Sequence, residues 1–224
     1  MKIVSIIGSP HGIKGATAAL LKIVLEGAES KGANTEIIAI KGQEVKPCRA
    51  CDICHKIGSC PQRDSFAAIK EKIENADGLI LATPNYISQV SAQLKAFLDR
   101  CCGVVHRLGF EGKYGASVVT SGGGDEKPIA DYMNHFLATT GIVPVGCVLA
   151  TMSQINGYDF PHDVREKAFT LGEKLATAGK SKVTDPEYGR VTSEFKDRMR
   201  ALMLWRQEEW PYEYKYWKEH RDLK

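Results

Sequence analysis

The stretch KIVSIIGSP, residues 2–10, decides how the rest of the chain is read. Lys2 to Gly8 is a short apolar run rich in β-branched residues, and Gly8-Ser9-Pro10 stops it sharply. A run without regular polar alternation suits a strand buried on both faces, as inside a parallel sheet. It is too short, and too poor in basic residues, for a signal peptide. It reads as a first β-strand ending in a Gly-rich turn.

Outward from this strand the pattern repeats. Residues 16 to 29 place Leu20, Leu21, Val24 and Leu25 at helical spacing. Strands are expected at TEIIAI (35–40), at LILA (79–82) running into Thr83-Pro84, and at YGASVVT (114–120) running into Ser121-Gly122-Gly123-Gly124. A fifth is expected within IVPVGCVLAT (142–151), beginning after Pro144. Helices are expected at 65–74, 92–100 and 125–139, and around Val164, Ala168, Leu171 and Leu175. Alternating strands and helices predict a doubly wound α/β fold, a parallel sheet covered on both faces. The unit spans 1–180 and closes at Gly179-Lys180-Ser181-Lys182; the extension 181–224 holds all three tryptophans, Trp205, Trp210 and Trp217.

Composition narrows the function. At 224 residues, 43% hydrophobic and 25% charged, the chain is an ordinary globular domain with an appendage. A net charge of +3 argues against nucleic acid and anionic membranes as partners. No apolar run approaches the ~18 residues of a membrane span. A cytoplasmic location is the default expectation, and there the seven cysteines would stay reduced.

In open doubly wound sheets, ligands bind beyond the carboxyl ends of the strands. GSPHGIKGAT (8–17) offers inward-turned amides, a helix N-terminus and the hydroxyls of Ser9 and Thr17, a plausible phosphate cradle. It matches neither the dinucleotide fingerprint nor the P-loop. Pro84, Asn85 and Tyr86 after the third strand, with Ser121, Gly122 and Gly123 after the fourth, suit a planar ring close to backbone. FMN fits a phosphate site combined with a planar one. A separate feature is CRACDICHKIGSC (48–60), whose Cys48, Cys51, Cys54 and Cys60 are spaced C-x2-C-x2-C-x5-C. Redox-active thiols, zinc, disulfides and an iron–sulfur cluster are the alternatives. Disulfides are disfavoured by the reducing compartment, and zinc by the lack of a second separated knuckle.

Gly8-Ser9-Pro10 with Thr17, the cysteine run, Thr83-Pro84-Asn85-Tyr86 and LKAFLDR (94–100) resemble the flavodoxin-like NAD(P)H-dependent FMN reductases, and within them the iron–sulfur flavoproteins. The resemblance covers roughly residues 1 to 150. It implies a five-stranded sheet of order 2-1-3-4-5. It also implies FMN phosphate contacts from Ser9, His11 and Thr17, and isoalloxazine contacts from Pro84, Asn85, Tyr86, Ser121, Gly122 and Gly123. His11 stands where the family usually has Arg, and Ala16 where Asn or Ser is common. The resemblance further implies a [4Fe–4S] cluster on Cys48, Cys51, Cys54 and Cys60, with bare thiols as the rival.

The implied activity is an FMN-dependent oxidoreductase passing electrons between a reduced donor and an acceptor, with NAD(P)H as a co-substrate. The acceptor is a small molecule or a redox protein. A cluster-free NAD(P)H-dependent FMN or quinone reductase and a non-enzymatic electron carrier are the alternatives. No side chain is assigned a catalytic acid–base role, because the cofactor carries the chemistry.

Other residues have plainer expectations. Cys101, Cys102 and Cys147 read as small core residues, His55 as a solvated loop residue and His106 as a residue without partner chemistry. Asp64 reads as a helix cap, and Asp99 with Arg100 as a local ion pair or subunit contact. The aromatic tail is expected to pack on the domain or on a second subunit. A homo-dimer or homo-tetramer with the arm crossing between subunits is the favoured arrangement.

Overall fold

β1, Lys2–Gly8, is buried from Ile3 onward because strands flank it on both sides and helices cover both its faces. The computed structural model describes residues 1–42, 44–151, 158–181, 183 and 186–223. After β1 come α1 (Ala16–Ser30), β2 (Asn34–Ile40), α2 (Ile53–Ile57) and α3 (Phe66–Glu74). β3 (Gly78–Tyr86), β4 (Gln89–Val90), α4 (Ala92–Arg100), α5 (Cys102–Arg107) and β5 (Tyr114–Ser121) follow. α6 (Glu126–Thr139), β6 (Val143–Thr151), α7 (His162–Ser181), α8 (Pro186–Trp205) and α9 (Pro211–His220) complete the chain.

The main sheet is parallel, in the order β2-β1-β3-β5-β6. This is the expected 2-1-3-4-5 order; β4 is an additional two-residue strand pairing antiparallel with the end of β3. Ile87 and Ser88, at φ of 51° and 56°, make the tight hairpin turn between them. β6 departs from expectation by starting at Val143, ahead of Pro144. Proline is tolerated because β6 is an edge strand and bulges there: Gly115 pairs Pro144, but Ala116 pairs Gly146.

Strand periodicity divides the core. Val4, Ile6, Leu79 and Leu81 face α3, α4 and α6, whereas Ile3, Ile7, Ile80 and Ala82 face α1 and α7. A third cluster joins Leu108 to Phe195, Met199, Met203, Trp217 and Leu223 of the C-terminal arm. Polar contacts fasten the arm to the body of its own chain. Trp217 Nε1 donates to the His106 carbonyl at 2.9 Å, and Arg221 to the Arg107 carbonyl at 3.1 Å. The expected exit is helical as far as Ser181; Lys182 lies outside the described residues. Among the described residues no helix is long and apolar enough to cross a membrane.

Candidate functional site

β1, β3 and β5 are neighbours in the sheet, so their carboxyl ends bring three loops to one rim. Gly8 closes β1 under α4: a Cβ there would lie 2.5 Å from Leu94 Cβ. The buried Ser91 hydroxyl donates to the Gly8 carbonyl at 2.5 Å and caps α4 by accepting from the Leu94 amide. Ser9 and Thr17 are buried at 2% exposure each, while His11 stands exposed on the rim. The hydroxyls of Thr17 and Thr120 lie 2.6 Å apart, tying the first loop to the end of β5. Gly15, the capping residue before α1, offers no side-chain cap, so the helix's first-turn amides face this loop open to an anion.

The second and third loops are tied to each other. Asn85 Nδ2 donates to the Gly124 carbonyl at 2.8 Å, and the Ser88 hydroxyl to Asp125 at 2.6 Å. Ser121 Oγ accepts from the amides of Gly123 and Gly124 at 3.2 and 3.0 Å. Among the described residues a Cβ on Gly122 or Gly123 would meet nothing within 4 Å, which leaves space over this backbone. Pro84 is half-buried, Tyr86 is exposed beside it, and Asn85 Oδ1 is buried with no hydrogen-bond partner among the described residues. Uncapped amides, open space over glycines and an orphaned amide oxygen fit a ligand with a phosphate and a polar-edged ring.

The cysteine loop spans the connection from β2 to α3. Left-handed backbone at Ala50, Asp52 and Gly58 folds it tightly back on itself. Its base is pinned by Arg100, whose Nη1 donates to the Lys46 carbonyl at 3.0 Å and to Asp64 Oδ2 at 2.7 Å. The expected Asp99–Arg100 pair is therefore corrected. Arg100 turns inward to Asp64, with side chains only 1% and 3% exposed, while Asp99 pairs with Lys95 on the helix surface. Asp64 does more than cap a helix, because its carboxylate also receives the amides of Lys46 and Phe66. Burial would raise its pKa, but the Arg100 hydrogen bond and these amides hold it below the usual carboxylate range.

Under the loop lies a cavity of about 100 Å³ lined by Cys54, Cys60, Lys70, Arg100 and Arg107. Two of these lining residues carry buried nitrogens, Arg100 Nε and Arg107 Nη1, with no hydrogen-bond partner among the described residues. Two thiols and three cations around one void suit an anionic, sulfur-ligated group. Cys48 and Cys51 lie on the exposed outer part of the loop.

Beside this cavity the structure assembles a group that sequence reading missed. His55 is 3% exposed rather than solvated, and Glu213 of α9 is fully buried. Glu213 accepts from both imidazoles, His55 Nδ1 and His106 Nδ1, at 2.9 Å each. Cys102 Sγ lies 3.7 Å from Nε2 of each histidine. Trp210 covers the two rings at centroid distances of 4.4 and 5.2 Å. Cys102 is thus half-buried between imidazoles rather than a core residue, and its thiol is pulled down to about 6: burial opposes ionisation, but both histidines outweigh it. Burial likewise opposes the charge on each histidine, yet contacts with Cys102, Cys54 and Glu213 push His55 up to about 12, and contacts with Cys102 and Glu213 push His106 up to about 9. Cys101, in contrast, is fully buried among apolar groups, which pushes its thiol up. The i, i+4 spacing of Cys102 and His106 on one helix is the local signal that could have found part of this group; nothing local marks Glu213.

The rim and its loops define a doubly wound α/β flavoprotein of the oxidoreductase kind. The chain belongs to the NAD(P)H-dependent FMN reductase and iron–sulfur flavoprotein family: the family model described as NADPH-dependent FMN reductase matches residues 1–156. It is similar to an iron–sulfur flavoprotein of Archaeoglobus fulgidus, 38% identical over 183 residues, which are 81% of this chain and 82% of that one. An iron–sulfur flavoprotein of Methanosarcina thermophila is 36% identical over 65% of this chain and 78% of its own length. Among solved structures, an apo NADH:FMN oxidoreductase superimposes with a TM-score of 0.60 at 23% identity, covering 84% of this chain and 92% of that one. The chain is a flavin-dependent oxidoreductase with a flavodoxin-like fold.

Proposed function

We propose that the protein passes electrons between a reduced donor, NADH or NADPH, and an acceptor through FMN at the strand rim and a [4Fe–4S] cluster on Cys48, Cys51, Cys54 and Cys60. The observation that carries the cluster reading is the cationic cavity shared by Cys54 and Cys60, with buried, unpartnered N–H groups of Arg100 and Arg107. Unpartnered guanidinium donors are costly unless an acceptor arrives, and inorganic sulfides with thiolates supply several. Four cysteines on one tightly folded loop match the ligand count of a cubane. The relatives described as iron–sulfur flavoproteins agree with this reading.

On the flavin side, Ser9 and Thr17 with the first-turn amides of α1 would hold the phosphate, and His11 would stand at its outer edge. Pro84, Asn85 and Tyr86 would border the isoalloxazine, and Ser121, Gly122 and Gly123 would offer it backbone amides. When bound, FMN supplies hydride and single-electron chemistry and the cluster single-electron relay. Arg100 and Arg107 would offset the negative charge of the thiolate-bound group and shield it from water. Exposed Trp205 and Leu204 at the end of α8 support a homo-dimer or homo-tetramer in solution.

Anaerobic purification tests the assignment. Flavin absorption with a broad shoulder to longer wavelength is expected, with about four irons and four sulfides per chain. Cys60→Ser should lose iron and sulfide yet keep FMN, since the two sites use separate loops. Flavin without iron would establish the cluster-free reductase instead. Steady-state NAD(P)H oxidation with quinone or ferricyanide should be rapid; a pure carrier would turn over slowly.

A further inference from the structure

We propose that His55, Cys102 and His106 form a mononuclear zinc site, oriented by Glu213, that joins the C-terminal arm to the α/β body. Their three ligand atoms lie within 4.8 Å of one another and offer two imidazole nitrogens and one sulfur. Zinc favours this mixed nitrogen and sulfur set in tetrahedral geometry. With Zn–S near 2.3 Å and Zn–N near 2.05 Å, a tetrahedral edge from sulfur to nitrogen measures about 3.6 Å. The two observed sulfur–nitrogen separations are both 3.7 Å. Two of the three ligand–ligand edges thus match a zinc site; the two imidazoles, stacked at 18° with centroids 4.7 Å apart, would tilt toward one ion to close the third.

The surroundings complete the design. A zinc-bound histidine characteristically donates its other ring N–H to a carboxylate, which fixes tautomer and ring orientation. Glu213 does this for both histidines at once, one oxygen each, at 2.9 Å. That arrangement directs both Nε2 lone pairs toward Cys102. Trp210 closes one side over both rings, and the partial exposure of Cys102 leaves the fourth position to water. Because His55 and His106 come from the body and Glu213 from α9, the ion would act as a clasp on the arm.

This site is distinct from the cluster proposed above, and the test separates them. Full-length protein is purified anaerobically, without chelators, from zinc-supplemented cells, and zinc, iron and sulfide are measured. About one zinc per chain is expected, with zinc-edge X-ray absorption showing two nitrogens near 2.0 Å and one sulfur near 2.3 Å. Cys102→Ser should lose zinc and keep iron and FMN, while Cys60→Ser should lose iron and keep zinc. Glu213→Gln, nearly isosteric, should weaken zinc binding about 10–100-fold in competition with a chromophoric chelator, because one imidazole loses its acceptor. Protein that holds no zinc and binds neither added Zn²⁺ nor Co²⁺ would overturn the proposal, leaving a hydrogen-bonded network. So would zinc content indifferent to Cys102→Ser and His106→Gln.

Discussion

Asp64 and Arg100 hold the cysteine loop shut at its base, and both are almost without solvent contact. Removing one charge of a buried pair strands the other, which costs about 3–5 kcal/mol. Asp64→Asn should therefore lower the urea-unfolding free energy at pH 7 by that amount. Its pH dependence has a definite sign. The folded pKa lies below the ordinary value, so the pair's contribution is present above the unfolded carboxylate pKa of about 3.9 and fades as pH falls through the still lower folded one. Acid titration of stability should show a loss below about pH 4 in the wild type that Asp64→Asn lacks. Sequence could suggest a cap from Asp64, because capping is local. It could not tell which neighbour Arg100 would choose, since adjacent Asp99 and distant Asp64 are equal in chemistry and differ only in burial.

On one face of the sheet, α1 and α7 approach backbone to backbone at two glycines. A Cβ on Gly172 of α7 would lie 1.8 Å from the Val24 carbonyl oxygen of α1, and one on Gly27 2.0 Å from the Phe169 carbonyl. Backbone cannot yield as a side-chain tip does, so Gly172→Ala should destabilise at the upper end of the ~1–3 kcal/mol typical of overpacking. Chemical denaturation checks this; a loss below about 0.5 kcal/mol, the range of neutral surface changes, would contradict the close crossing. The apolar stripe Val164, Ala168, Leu171 and Leu175 was legible as a helix because its spacing repeats locally. The adjoining Gly172 carried no such signal, because its meaning lies in the helix opposite. The same holds for Pro144, whose place inside β6 depends on β6 being at the edge of the sheet.

Across the whole molecule, the C-terminal arm decides the character of the second site. α9 lays Tyr212 against Gly58 of the cysteine loop, where a Cβ would lie 2.3 Å from the ring, and buries Glu213 between two histidines of the body. Truncation after Ser181 should leave the three flavin loops in place, because all belong to the body, and FMN titration should still saturate. The buried Trp217 contributes ~3–5 kcal/mol of packing, so the thermal midpoint should fall by roughly 10 °C or more. Loss of flavin binding on truncation would show that the arm also supports the rim. The chain's own pattern determined the alternation of strands and helices, the glycine-rich loops at their ends and the four spaced thiols, because periodicity and turn chemistry are written within a few residues. Only the tertiary structure decided that His55 and Glu213, 158 residues apart, would share a hydrogen bond beside Cys102. A long-range meeting of single polar groups follows from how an aromatic arm packs, and no short stretch of sequence encodes that.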